Sequence, residues 1–157
     1  MDEIPGQFPG NKVNGDLTNG IELYSISWGT ATDLSKSGGT FSAGSAKFQT
    51  ITFTKRLDKA TGPLMAKCAT GEYIKNAKIY YLRSGPAGGM YIPLKLELNN
   101  IVVSGYTLNG AQGGDDPMET ICFSPGKVAV TYQSLTETGQ LGPQAQGGWD
   151  ITVNKQV

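Results

Sequence analysis

Histidine is absent from the 157-residue sequence. That removes both the most frequent general base near neutral pH and the commonest metal ligand. Cysteine is almost as scarce: Cys68 and Cys122 stand far apart and form no C-x-x-C pair, which speaks against a zinc site or a dithiol redox motif. Both are read as free, buried thiols that pack like small hydrophobes. An excess of charge is missing as well, since 13 basic residues face 13 acidic ones and neither sign forms a run. No long-range field recruits nucleic acid or an anionic membrane. No apolar stretch approaches the length of a membrane span, so membrane insertion is not expected. The segment Met1-Asp2-Glu3-Ile4-Pro5-Gly6 is acidic where a signal peptide needs positive charge and then an apolar run. The expectation is synthesis in the cytoplasm and export, if any, without a cleaved signal.

What the chain does contain is β patterning punctuated by 22 glycines and 8 prolines. Its length suits one domain, residues 1–157, with no repeat and no linker. Residues 5–20 carry turn chemistry, and Asn11, Asn14 and Asp16 lack the acidic spacing of a calcium loop. Ile21 to Trp28 reads as a strand with apolar groups on both faces. Residues 33–47 are rich in Ser, Gly and Thr and read as a long loop. They lack the Gly-Lys-Ser/Thr ending of a phosphate-binding loop. Phe48 to Lys55 alternates Thr50, Thr52 and Thr54 against Gln49, Ile51 and Phe53, a second strand.

One helix follows, with Asp58 or Thr61 at its start, Pro63 in its first turn and Gly71 just past its end. Leu64, Met65, Cys68 and Ala69 form its apolar stripe. Tyr73 to Arg83 and Met90 to Leu98 read as a hairpin, with Pro93 marking an edge or a bulge. The pattern continues through Ile101 to Leu108. Glu119 to Phe123 and Lys127 to Gln133 are expected to pair across a type II turn at Ser124-Pro125-Gly126. Trp149, Ile151 and Val153 alternate as a last strand. These elements predict a mainly β fold, a compact barrel or sandwich of two packed sheets with one short flanking helix and a long extended loop.

Several segments, in order, resemble the Hcp family, the ring-forming tube proteins of bacterial type VI secretion. They are Ile21-Glu22-Leu23-Tyr24-Ser25-Ile26-Ser27-Trp28-Gly29 with the Gly/Ser-rich stretch after it, Phe53-Thr54-Lys55-Arg56-Leu57-Asp58-Lys59 leading into Pro63-Leu64-Met65, and Ala69-Thr70-Gly71. Gly113-Gly114-Asp115-Asp116-Pro117-Met118-Glu119-Thr120 and Gly148-Trp149-Asp150 complete the series. Glu72-Tyr73 and the proline at 125 depart from the family pattern. The resemblance implies a β-barrel subunit, not an enzyme, that assembles into hexameric rings. The rings stack into a hollow tube driven by a contractile sheath, capped by a VgrG-type spike and able to carry small effector proteins in its lumen. It implies no cofactor and no metal, and secretion by the type VI system.

Carried onto this sequence, the resemblance makes Ser35, Lys36, Ser37, Gly38, Gly39, Thr40, Phe41, Ser42, Ala43, Gly44 and Ser45 a ring-stacking loop. Ser27 becomes a lumen residue in contact with cargo, and Asp115, Asp116 and Glu119 lie near a subunit contact. Two other functions are weighed against this one. A glycan- or ligand-binding β-sandwich module would display Trp28 and Trp149 for stacking. A carboxylate-only hydrolase would use Asp115 or Glu119 in a pocket.

Overall fold

A computed structural model describes residues 4–9, 17–85, 89–110, 113 and 116–157. In chain order the elements are β1 (Ser25–Ser27), β2 (Thr30–Ser37), β3 (Thr40–Phe48), β4 (Ile51–Arg56), α1 (Thr61–Thr70), β5 (Ile74–Ser84), β6 (Met90–Asn109), β7 (Met118–Leu135), β8 (Leu141–Asp150) and β9 (Lys155–Gln156). The main sheet runs β1-β4-β7-β6-β5, with β8 also on β7 and β9 on β8, while among the described residues β2 and β3 pair only with each other. The fold is mainly β and sandwich-like with one flanking helix, as the pattern of short alternating segments predicts.

Two long strands organise it. β6 pairs with β7 from Leu94 opposite Tyr132 to Asn109 opposite Met118, occupying one edge of β7. The other edge is shared end to end: β4 takes Met118 to Phe123 and β8 takes Lys127 to Leu135. Ser124-Pro125-Gly126 therefore lies inside one continuous strand and is not the expected turn. Pro125 stands where neither β4 nor β8 pairs with β7, the place on that edge where a missing N–H disturbs the ladder least. β6 bends beside it, through Asn100 at φ 52° and a register shift between Val103 and Gly105. Pro93 does mark a bulge, since the β5 register shifts between Tyr81 and Arg83.

The core lies inside this bent sheet. Ile51, Phe53, Leu64, Ile74, Leu98, Ile101, Val103, Ile121, Phe123 and Val128 are all buried, and the Phe53 and Phe123 rings meet edge to face at 4.9 Å. Helix α1 closes one side and ends at Gly71, whose φ of 69° suits a residue without Cβ and whose N–H returns to the Lys67 carbonyl at 3.1 Å. Its buried stripe is narrower than expected: Leu64 is buried and Cys68 packs on the core, whereas Met65 and Ala69, turned about 100° further round the axis, face solvent. Both cysteines are free thiols, half-buried and not fully enclosed.

The remaining corrections sit at strand ends. β1 is shorter than Ile21 to Trp28. The strand expected around Trp149 is β8, which begins at Leu141 and stops at Asp150, not Val153. There the Asp150 carboxylate accepts the Thr152 N–H at 3.0 Å and the Val153 N–H at 3.3 Å, turning the chain. The Thr152 hydroxyl bonds the same carboxylate and, with lesser help from those N–H groups and Lys127, holds its pKa below the usual aspartate range against the opposing effect of burial. Asn11, Asn14 and Asp16 lie outside the described residues.

Candidate functional site

The stretch read as a loop is a two-stranded ribbon. Ser35 pairs with Ser42, Lys36 with Phe41 and Ser37 with Thr40 around Gly38 (φ 59°) and Gly39 (φ 87°). Positive φ at both central residues is the two-residue hairpin turn whose twist matches the strands. The signal in the sequence was that Gly-Gly pair. It was masked by flanks of small polar residues without apolar alternation. Ser35 through Ser45 are all exposed, so the ribbon projects from the domain. Pairing places Leu34, Lys36, Phe41 and Ala43 on one face and Ser35, Ser37, Thr40 and Ser42 on the other. Leu34 and Phe41 remain 66% and 67% exposed. The Lys36 ammonium stands 5.8 Å from the Phe41 ring centre, and Lys47 pairs with Asp33 nearer the base.

Ser27 belongs to a larger surface. Ser25 pairs with Thr54, Thr54 with Thr120 and Thr120 with Thr107; Ser27 pairs with Thr52, Thr52 with Cys122 and Cys122 with Gly105. Directly opposed residues share a face, and the intervening Phe53 and Ile121 are buried. Two cross-strand rows of small uncharged side chains therefore run across β1, β4, β7 and β6 on the side away from the core. Internal bonds order the rows: the Ser25 and Thr54 hydroxyls lie 2.6 Å apart, and the Thr52 hydroxyl lies 3.5 Å from the Cys122 sulfur. At one end the Arg56 guanidinium lies 5.0 Å from the Tyr24 ring centre and 3.6 Å from the Asp116 carboxylate. The threonine alternation of β4 foretold its own share of this face. The partners on β6 and β7 are not visible without the register.

The acidic cluster divides. Asp116 is exposed, Asp115 lies outside the described residues, and Glu119 is wholly buried. Glu119 therefore does not form a surface contact. Its carboxylate meets Lys55 Nζ at 2.5 Å and accepts bonds from Thr61 Oγ1 at 3.0 Å and Tyr106 OH at 2.5 Å. Lys55, also wholly buried, reaches Asp58 Oδ1 at 2.7 Å and the Arg56 carbonyl at 2.8 Å. Asp58 in turn accepts the Ala60 N–H at 2.8 Å, so it steadies the entry to α1 while serving the ion pair. Burial and, secondarily, the hydrogen bond and charge of Glu119 push the Tyr106 phenol up to about 12.

This buried set carries no hydrolytic pair: Glu119 is neutralised by Lys55 and shut away from any substrate. Among the described residues no group of three or more His, Cys, Asp or Glu side chains is placed to hold a metal. Nor do the tryptophans present a flat platform for sugar. Trp28 stacks on Phe48 with ring centres 6.3 Å apart, and Phe48 meets Trp149 at 6.2 Å. With Val128, Val130, Gly147 and Gly148 they line a cleft of about 210 Å³. Among the described residues no helix is long and apolar enough to cross a membrane.

Comparison with known proteins points the same way. A family model described as "Type VI secretion system effector, Hcp" matches residues 2–132. A curated relative, protein hcp1 of Pseudomonas aeruginosa, is 30% identical over 110 residues, 69% of this chain and 67% of its own length. Among solved structures, a type six secretion system protein superposes with a TM-score of 0.88 at 22% identity, covering all of this chain and 96% of its own. Hcp1 from Salmonella typhimurium gives 0.76 at 22% identity over all of this chain and 95% of its own. The structural likeness establishes the shared fold; the family match across most of the sequence establishes that the chain belongs to the Hcp family of type VI secretion proteins.

Proposed function

We propose that this chain is the inner-tube subunit of a type VI secretion system, closing into hexameric rings that stack into a hollow tube and are exported. The observation that carries this reading is the pair of rows of small uncharged side chains spanning β1, β4, β7 and β6. A neutral surface of small side chains suits the wall of a channel, because it neither attracts nor repels passing protein by charge and needs no apolar cover. Ser27 then faces the lumen, where small effector proteins are carried. The projecting ribbon from Ser35 to Ser45 reaches a neighbouring ring. Asp116 lies close to a subunit contact. A contractile sheath outside and a VgrG-type spike at the tip complete the assembly. No catalytic step is assigned to the chain.

Native mass spectrometry of the purified protein, paired with negative-stain microscopy, tests the reading. A six-copy species with a central hole is expected. A monomer that persists at high protein concentration, with no ring in the images, sinks it.

A further inference from the structure

The ribbon and the aromatic cleft are two unfinished apolar surfaces on one chain. Phe41 is the bulkiest exposed apolar side chain of the ribbon and stands beside its tip. The cleft lies at the ribbon's base, where Trp28 and Phe48 form its walls with Val128, Val130 and Trp149, and Gly147 lies open beside them. We propose that Phe41 of one copy seats in the Trp28/Phe48/Trp149 cleft of a second copy. This inference rests on the self-assembly proposed above and names the two surfaces that meet.

Size supports it. The cleft holds about 210 Å³, and apolar cavities of roughly 150 Å³ already take up benzene. A phenylalanine ring therefore fits with little rearrangement. Chemistry supports it too, since an aromatic ring entering among three others can make offset or edge-to-face contacts. Trp28 contributes a further reason: its indole N–H is buried without a hydrogen-bond partner among the described residues. Such orphan donors are uncommon in folded proteins. The incoming ribbon brings backbone carbonyls as candidate acceptors.

Reach decides which copy supplies the ring. Phe41 and Phe48 lie on the same strand β3, and at about 3.3 Å per residue the tip is roughly 20 Å from the base. A chain therefore does not seat its own Phe41 in its own cleft without unpairing the ribbon. The contact joins two different patches; where the same partner does not return it, it is heterologous, the kind that propagates into stacks instead of ending at a dimer.

The test uses single-cysteine chains in a Cys68→Ser, Cys122→Ser background, one carrying Phe41→Cys and the other Gly147→Cys. A Cβ added at 147 meets no atom within 4 Å among the described residues, so the second change leaves the fold room. Oxidation of the mixture is expected to give a disulfide-linked dimer at least tenfold above that of either chain alone. The chain carrying both cysteines is expected to give a ladder of multimers. Rings visible by microscopy without a mixed dimer overturn the docking and leave the assembly reading standing; absence of rings and of cross-links overturns both. A dimer formed by the Phe41→Cys chain alone in equal yield also overturns the docking, because it means tip meets tip. As a second check, Gly147→Leu should fill the cleft and weaken association at least tenfold with an unchanged melting curve; unchanged association overturns the proposal.

Discussion

Lys55 and Glu119 are both fully excluded from solvent, and their charged ends lie 2.5 Å apart between neighbouring strands. The pair is directly opposed in the β4–β7 register, so pleat and pairing alone bring the groups together on the core side. Asp58, Thr61, Tyr106 and the Arg56 carbonyl supply further hydrogen bonds. One polar knot thereby joins β4, α1, β6 and β7.

Because neither charge reaches water, removing one partner strands the other. Lys55→Met is expected to lower stability by about 3–5 kcal/mol, the usual result of breaking a buried ion pair. Combining it with Glu119→Leu should recover part of that loss, since no buried carboxylate is left at 119 without its cation. Urea unfolding of both single variants and the double variant checks this. A double variant whose loss equals the sum of the two singles would refute the coupling.

Tyr106 makes the same knot sensitive to strong base. Its folded pKa of about 12 lies above the ordinary tyrosine value, chiefly because burial disfavours the phenolate. Between pH 10 and 12 the unfolded chain therefore releases this proton while the folded chain keeps it. Stability from this group is complete below pH 10 and is lost as pH rises through about 12. Thermal melts across that window should show a falling midpoint, and Tyr106→Phe should flatten the fall while lowering stability at neutral pH. An identical slope in the variant would show that other groups cause it.

The ribbon should be separable from the domain. Gly38 and Gly39 both have positive φ, and a β-branched residue there is strained by roughly 1–2 kcal/mol. Since among the described residues β2 and β3 pair only with each other, Gly39→Val should disorder the tip without moving the main melting transition. Deleting residues 38–44 should likewise leave rings intact and weaken their stacking, seen as short tubes or single rings by microscopy. A large drop in melting temperature from either change would mean that the ribbon helps hold the core.

How far the sequence foretold this molecule depends on the range of the cause. Gly71 as helix terminator and Pro93 at a bulge follow from local backbone geometry, and both stand where expected. Ser124-Pro125-Gly126 has the local chemistry of a turn, yet β6 offers a partner along its whole length and tertiary pairing keeps the chain extended. Glu119 groups with Asp115 and Asp116 in the sequence, while its neutralising lysine lies 64 residues earlier. Only the register reveals that they face each other. The two rows of small side chains pose the same problem, since each strand contributes two unremarkable residues.

Those rows also give the sharpest test of which side of the subunit lines the tube. Ser27 is exposed on β1, its pairing partner Thr52 lies on the same face, and no bulky side chain stands in either row. Ser27→Cys in a Cys68→Ser, Cys122→Ser background should therefore fold normally and accept a maleimide-linked gold cluster. Microscopy of labelled rings should place the gold in the central hole, and gold on the outer rim would overturn the assignment of this face to the lumen. The charge of the face then becomes testable by itself. Ser27→Arg adds one positive charge per copy, and in a closed ring these crowd together in a channel that the wild-type leaves neutral. Ring formation should be unchanged, whereas retention of a co-expressed small effector should fall, and fall more steeply for a basic effector than for an acidic one. Equal retention of both by the variant and the wild-type would show that cargo does not touch this wall.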